Sequence, residues 1–128
     1  NSREWIYVTD HCEALYQLFK KGKIGESYNV GSNENIKNIN IVKNILNIFK
    51  KKRIKIGKKV KIKFVKDRPG HDFRYALNSK KIKKEIKWKS KTKLHSGLNM
   101  TVDWYLKNKR FISSISKKLY VNRLGLKI

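Results

Sequence analysis

The sequence is organised around one stretch of ten residues, which reads Asp67-Arg68-Pro69-Gly70-His71-Asp72-Phe73-Arg74-Tyr75-Ala76. It contains the only proline of the chain, followed directly by a glycine. Pro-Gly predicts a tight turn, because proline fixes φ and glycine accepts positive φ. The residues around the turn supply fork-shaped cations and proton-exchanging groups. The stretch is therefore either a ligand site on a rigid loop or an ordinary solvated connection.

The flanking segments place this turn between a strand and a helix. Residues 61–66 alternate lysine with mostly apolar residues, which predicts a strand. After the turn, Asn78 or Ser79 is expected to cap a short helix in which Ile82 and Ile86 lie one turn apart. A polar turn at the end of a strand is a favoured place for a ligand in α/β proteins.

The N-terminal segments continue the alternation of strand and helix. Residues 3–8 form an apolar and aromatic run that predicts an extended strand. Thr9 or Asp10 is expected to cap a first helix, since Glu13 completes a pattern similar to a capping box. Residues 26–30 predict a second strand that runs into a polar loop.

The remaining segments predict further helices. Asn38 is the expected N-cap of a helix, residues 50–59 form a basic linker, and Trp88 is expected to fold back on the core. A last helix is predicted over residues 96–109, with an inner face formed by Leu98, Val102, Tyr105 and Leu106. This order of elements predicts an α/β fold, although three short strands do not complete a doubly wound sheet.

The net charge of +24 in 128 residues has two explanations. It suggests a polyanionic partner such as nucleic acid. However, 27 of the 33 basic residues are lysines, and the abundance of lysine, isoleucine and asparagine also follows from an AT-rich genome. The lysines are spread along the chain and the aromatic residues complete apolar faces, so a small nucleic-acid-binding module is the less favoured interpretation.

Cysteine usage and hydropathy indicate a reducing, cytoplasmic setting. Cys12 is the only cysteine, so an internal disulfide is excluded, and no Cys or His spacing suggests a metal site. No apolar run approaches the length of a membrane span. The chain begins at Asn1 within structured-looking sequence, which suggests a piece of a longer protein.

Four blocks of sequence carry a resemblance to a known family. They are residues 3–11, 25–31, 67–76 and 101–106. In this order and spacing, the chain resembles the C-terminal portion of the dTDP-glucose 4,6-dehydratase family, within the extended short-chain dehydrogenases/reductases. The first two blocks are shared with nucleotide-sugar epimerases and dehydratases in general. The Asp-Arg-Pro-Gly-His-Asp sequence is more specific to the dTDP-glucose enzymes.

The resemblance implies a fold and a function. The fold is the last elements of a Rossmann sheet plus a small substrate-binding lobe, with residues 1–110 as the substrate-binding part and 111–128 as a C-terminal tail. In the family, NAD binds to a preceding N-terminal domain, the substrate is a dTDP-sugar, and the enzyme forms homodimers. A related NAD-dependent epimerase or decarboxylase is the alternative enzyme.

The resemblance also implies which residues contact the substrate. They are Arg3, Asn38, Asp67, Arg68, Pro69, Gly70 and His71. Arginine forks suit a pyrophosphate, since they donate bidentate charge-assisted hydrogen bonds. An asparagine at a helix N-terminus adds a directed polar contact, and a glycine lets the backbone approach a ligand closely.

Three departures from the family pattern bear on the site. The order of Asn33-Glu34-Asn35 is shifted, which puts ligand contacts from that loop in question. Phe73 stands where the family usually has an arginine, and this removes a cation. Asn78 replaces an aspartate at an expected helix cap.

Catalytic and cofactor-binding groups are not expected within this chain. No glycine-rich dinucleotide fingerprint follows a strand. Tyr-x-x-x-Lys spacing occurs at Tyr16 and Lys20 and again at Tyr105 and Lys109, but such matches arise easily by chance in a lysine-rich chain. Both tyrosines are interpreted as aromatic residues at the edge of the core. This chain alone is therefore expected neither to bind NAD nor to turn over substrate.

Overall fold

The computed structural model describes residues 1–58, 60–67 and 69–116. In chain order, its elements are β1 (Ser2–Glu4), α1 (Val8–Lys21), β2 (Asn35–Lys37), α2 (Asn38–Lys51), α3 (Lys80–Ile86), α4 (Leu94–Lys107) and α5 (Lys109–Ser114). No helix in the described ranges combines the length and the apolar character that crossing a bilayer requires.

Strand β1 lies between two partners. It pairs with β2 in antiparallel orientation, with Arg3 opposite Ile36. On its other edge, the amide of Ser2 donates to the carbonyl of Phe73 at 3.1 Å, and the amide of Tyr75 donates to the carbonyl of Ser2 at 3.2 Å. The second half of the 67–76 stretch is thus attached to β1 by backbone hydrogen bonds.

Two of the predicted strands are wrong. The described structure has no strand at residues 26–30 or 61–66, and the run 3–8 is a strand only at its start, within Ser2–Glu4. A strand needs a hydrogen-bonding partner, which an alternating pattern cannot supply by itself. The partner that β1 uses is instead β2, which lies between the predicted polar loop and the helix predicted to be capped by Asn38.

The predicted helix caps at Thr9, Asp10 and Asn38 are also wrong. Helix α1 begins at Val8 after Tyr7, and α2 begins at Asn38 itself, and neither start has a side-chain cap. Asp10 lies inside the first turn of α1, where its carboxylate accepts hydrogen bonds from the segment before α4. Tertiary partners have therefore replaced the local capping pattern.

The core confirms the apolar positions predicted for the third helix. Ile82 and Ile86 of α3 are buried together with Ala14 of α1, and Trp88 folds back onto them with 4% of its surface exposed. Asn78 accepts a hydrogen bond from the amide of Lys80 at 3.0 Å at the start of α3. This core holds α1 against α3.

The predicted last helix forms as α4, two residues earlier than expected at each end, and a further short helix follows it. Helix α4 ends at Lys107 and α5 follows from Lys109 to Ser114, so it enters the segment expected to be a tail. Val102 is buried, whereas Tyr105 and Leu106 are 54% and 39% exposed and do not belong to the inner face predicted for them. Residues 117–128 of the predicted tail lie outside the described residues.

Candidate functional site

Arg3 is the centre of a polar cluster between β1 and the 67–76 loop. Its Nη1 donates to the carbonyls of Ser2 at 2.7 Å and Phe73 at 3.4 Å. Its Nη2 donates to the carbonyl of Asp72 at 2.7 Å and lies 2.8 Å from Nε2 of His71. Both terminal nitrogens of the guanidinium are therefore engaged by protein acceptors.

An aromatic ring supports the same guanidinium. The Cζ of Arg3 lies 4.7 Å from the ring centroid of Tyr75, which is a cation–π distance. The Tyr75 hydroxyl donates to the carboxylate of Asp72, and the side-chain amide of Asn35 donates to the Tyr75 carbonyl. The loop departure at Asn33-Glu34-Asn35 thus supplies a residue that holds Tyr75 in place.

His71 links Arg3 to a carboxylate. Its Nδ1 is hydrogen-bonded to Asp67, and the other carboxylate oxygen of Asp67 accepts a hydrogen bond from the side-chain amide of Asn1. A guanidinium can only donate, so Nε2 of His71 must be the acceptor in its contact with Arg3. His71 is then a neutral imidazole in this arrangement, with its proton on Nδ1 facing Asp67.

Asn38 joins the cluster through the first residue of the chain. Its backbone N–H donates to the backbone carbonyl of Asn1 at 3.0 Å, and the side-chain amide of Asn1 donates to the carboxylate of Asp67. The Oδ1 of Asn38 is buried and has no hydrogen-bond partner among the described residues. A buried acceptor without a donor costs free energy, which a ligand hydroxyl or amide could recover.

The Pro-Gly turn separates Asp67 from His71, as predicted. Gly70 has a φ of +68°, a conformation that favours glycine. The position of a Cβ on Gly70 is open, with no atom within 4 Å, so the glycine is required here by the turn geometry. A close backbone approach to a ligand at Gly70 stays a prediction. Arg68 lies outside the described residues.

Glu4 fixes the far side of β1. Its two carboxylate oxygens accept hydrogen bonds from the amides of Asn33 and Leu77, each at 2.7 Å. A Cβ on Gly31 would lie 2.1 Å from Oε1 of Glu4, so only glycine fits beside this carboxylate. Glu4 therefore ties the loop before β2 and the loop before α3 to the strand that carries Arg3.

Sequence reasoning brought Arg3, Asp67 and His71 to one site but missed several supporting residues. These are Asn1, Glu4, Asp72 and Tyr75. Asp72 and Tyr75 belong to the same loop as His71, which was the available signal. The contacts of Asn1 and Glu4 depend on long-range loop positions and had no signal in the sequence.

A second polar cluster holds α1 to the start of α4. The Asp10 carboxylate, 5% exposed, accepts from the backbone amides of Lys91 at 2.9 Å and Thr92 at 2.8 Å and from the Thr92 hydroxyl at 3.0 Å. Burial raises the pKa of Asp10, but these hydrogen bonds outweigh it and leave the pKa below its usual value. This cluster stabilises the fold and shares no residue with the Arg3 cluster.

An apolar groove of about 460 Å³ lies between the start of α1 and α4. Aromatic and aliphatic side chains form most of its lining, among them Trp5, Tyr7, Leu98, Trp104 and Tyr105. None of the residues expected to contact a substrate lines it. The groove and the Arg3 cluster are therefore separate features of the molecule.

The Tyr-x-x-x-Lys spacing on α1 produces a surface contact. The Nζ of Lys20 lies 4.6 Å from the ring centroid of Tyr16, over its face. Tyr16 is exposed on the helix surface. This geometry is a cation–π contact, in which the ammonium of Lys20 lies against the face of the Tyr16 ring.

Comparison with known proteins identifies the fold and its family. The family model described as GDP-mannose 4,6 dehydratase matches residues 1–101. A dTDP-glucose 4,6-dehydratase of Xanthomonas campestris pv. campestris strain B100 is 39% identical over 127 residues, covering 96% of this chain and 36% of the relative. The chain thus spans about a third of the length of the curated relatives that it matches.

Solved structures give the same result. The dTDP-glucose 4,6-dehydratase of Bacillus anthracis in complex with NAD has a TM-score of 0.74 and 40% identity, over 87% of this chain and 33% of that protein. The dTDP-glucose 4,6-dehydratase of Streptomyces venezuelae, solved with NAD and a second ligand, has a TM-score of 0.75 and 30% identity over the same shares.

These matches define the class as α/β proteins of the sugar-nucleotide dehydratase type, which confirms the predicted fold class. The chain belongs to the GDP-mannose 4,6 dehydratase family, and it corresponds to a portion of its dTDP-glucose 4,6-dehydratase members. The resemblance inferred from the four sequence blocks is thereby confirmed.

Proposed function

We propose that the Arg3 cluster binds the sugar-nucleotide substrate of a dTDP-glucose 4,6-dehydratase. The observation that carries this proposal is the gathering of Arg3, His71 and Asn38 around Asp67 and Asn1. The relatives at 39% and 40% identity are named as this enzyme, and they match across nearly the whole chain. The complete enzyme converts dTDP-glucose to dTDP-4-keto-6-deoxyglucose.

Each residue of the cluster has a role that its chemistry supports. Arg3 supplies a positive charge for the pyrophosphate, and the planar fork of a guanidinium suits phosphate oxygens. The unpartnered Oδ1 of Asn38 accepts a hydrogen bond from the nucleotide or the sugar. Asp67, Pro69, Gly70 and His71 form the loop that contacts the ligand, and Arg68 is proposed as a second cation there. These roles position the substrate, and bond breaking is assigned to the rest of the enzyme.

NAD is the hydride carrier that the family uses, but the described residues do not fit it. Dinucleotide sites place a glycine-rich turn at a helix N-terminus, where the backbone can approach the pyrophosphate. Helix α1 follows Trp5-Ile6-Tyr7, and α2 follows Asn35-Ile36-Lys37, so neither start contains glycine. We assign NAD binding to the remainder of the enzyme. The expected homodimer and cytoplasmic location stay predictions.

A binding titration with dTDP-glucose tests the proposal. Asn38→Ala removes the unpartnered Oδ1, and we expect it to weaken binding about tenfold, equivalent to about 1.4 kcal/mol. Asn47→Ala, on the exposed surface of the same helix, is the matched control and should leave the affinity unchanged. Binding that is absent, or that responds equally to the two substitutions, would contradict the proposed site.

A further inference from the structure

The hydrogen bonds of Arg3 conflict with a simple bidentate contact to a pyrophosphate. The two terminal nitrogens carry four N–H groups, and four acceptors surround them: the carbonyls of Ser2, Phe73 and Asp72 and Nε2 of His71. An anion that uses the fork must therefore replace at least one of these acceptors. The three carbonyls belong to β1 and to the backbone attached beside it. His71 is the only side chain among the four.

His71 is also the acceptor that can leave at the lowest cost. Its side chain is 24% exposed, so solvent and ligand reach it. When Nε2 loses the hydrogen bond from Arg3, the imidazole keeps its Nδ1 contact with Asp67 and stays on the loop. Its freed Nε2 is then a ring nitrogen with a lone pair, which can bind a proton.

We propose that an incoming pyrophosphate displaces His71 from Arg3 and that His71 then takes up a proton from solvent. The proton binds to Nε2, which changes from the acceptor of the Arg3 hydrogen bond to a donor toward the anion. Arg3 and His71 then face the same pyrophosphate, while Asp67 remains hydrogen-bonded to Nδ1. This inference rests on the proposed function, because that function supplies the ligand. No covalent bond is formed or broken except the N–H bond of the added proton.

The charged groups around His71 agree with this exchange. In the described ranges, Arg3 of β1 and Asp67 of the same loop contact its ring. The neighbouring carboxylate of Asp72 accepts from the hydroxyl of Tyr75 and is engaged there. In the structure, the imidazole of His71 accepts a hydrogen bond from the Arg3 cation. In the proposed complex, it faces the doubly negative pyrophosphate instead. Bound ligand therefore favours the protonated ring more than the free site does.

Proton uptake makes the affinity depend on pH in a defined direction. Histidines ionise between about pH 5 and 8 in proteins. Within the window where His71 is neutral in the free site and protonated in the complex, the affinity for dTDP-glucose falls up to tenfold for each unit of rising pH. The pyrophosphate of dTDP-glucose is esterified at both ends, so the ligand itself does not titrate in this range.

Calorimetric titration of this chain with dTDP-glucose in PIPES and in imidazole buffer at pH 7 measures the uptake directly. The difference between the two apparent enthalpies reports the protons bound. We expect uptake of up to one proton by the wild type and by His95→Gln, whose substituted side chain lies on α4. We expect none for His71→Gln, which keeps an acceptor for Arg3 but does not titrate.

A second variant separates the exchange from general damage to the loop. His71→Asn still donates to Asp67 but is too short to reach Arg3, so binding should be independent of pH and stronger at pH 8 than that of His71→Gln. Binding without proton uptake by the wild type, or uptake retained in His71→Gln, would overturn the exchange while leaving the proposed function in place. Absence of any binding would remove both proposals.

Discussion

Arg3 shows how a single residue can serve the fold and a ligand together. Its guanidinium joins β1 to the 67–76 loop through carbonyl groups, a histidine and the ring of Tyr75. A lysine at this position would carry the charge, but its compact ammonium has only three donors and lacks the planar fork that reaches four acceptors and stacks on a ring. These contacts give arginine a specific role at this position, in a chain whose basic residues are otherwise mostly lysine.

At the residue scale, Asp10 should make stability depend on pH. Its folded pKa is depressed below the ordinary value of 3.8, so its contribution is present above that value and is lost as the pH falls through the folded pKa. Asp10→Asn should lower the free energy of unfolding by about 1–3 kcal/mol at pH 7. Urea unfolding at pH 7 and pH 3 measures this, and the difference from wild type should shrink at pH 3.

Asp103→Asn is the control for this prediction, because Asp103 makes an ion pair with Lys52 on the surface. Surface pairs contribute about 0–1 kcal/mol. If both variants lose the same free energy of unfolding at pH 7, the hydrogen bonds from Lys91 and Thr92 to Asp10 do not stabilise the fold more than a surface ion pair does.

The contact between Gly31 and Glu4 gives a second prediction at this scale. Gly31→Ala places a Cβ where Oε1 of Glu4 now lies, so the carboxylate must give up its bonds to Asn33 and Leu77. We expect the free energy of unfolding to fall by about 1–3 kcal/mol. Gly57→Ala is the matched control, since no atom lies within 4 Å of its added Cβ. If Gly31→Ala and Gly57→Ala lower the free energy of unfolding equally, the hydrogen bonds of Glu4 to Asn33 and Leu77 do not contribute to stability.

The limits of sequence reasoning at the residue scale follow from the same contacts. The Pro-Gly turn and the polar residues around it are local, so the placement of Asp67 and His71 could be predicted. Asn38 was predicted to be the N-cap of its helix, but it is the first helical residue and Lys37 holds the cap position. The sequence does not show that the backbone of Lys37 is extended. The bonds of Glu4 cross from residue 4 to residues 33 and 77, and no local pattern encodes them.

Among the elements, helices could be predicted more successfully than strands. The apolar spacing of Ile82 and Ile86 produces the buried face of α3, because helix periodicity is a local property. Residues 26–30 and 61–66 have strand-like composition, but no strand forms there in the described structure. A strand forms only where another backbone segment lies beside it to accept and donate hydrogen bonds. For β1, these segments are residues 35–37 and 73–75.

The packing of α3 under α1 is tested by Ile82→Ala. Ile82 is 0% exposed and lies in the core with Ala14, Ile86 and Trp88. Removing its side chain should lower the free energy of unfolding by about 2–5 kcal/mol, measured by urea denaturation. Ile24→Ala, at a fully exposed isoleucine, should change it by less than about 0.5 kcal/mol. Comparable losses in both variants would contradict the assigned core.

For the whole molecule, family and fold were predictable because four separated blocks match in order. The specific block carries the turn, the histidine and the aspartates, and the structure attaches this block to the strand that carries Arg3. What the sequence could not provide is the contact by which His71 occupies one arm of the guanidinium. The large positive charge is spread along the whole chain, whereas the candidate site depends on Arg3 and its neighbours.

The most direct test of the account is a residue-resolved NMR titration of the ¹⁵N-labelled chain with dTDP-glucose. If the Arg3 cluster is the sugar-nucleotide site, the largest shifts should occur at Arg3, Asn38 and His71, with Asp10 and the α3 core unaffected. Shifts confined to the groove at Trp5 and Trp104, or spread over the lysines without affecting Arg3, would contradict it.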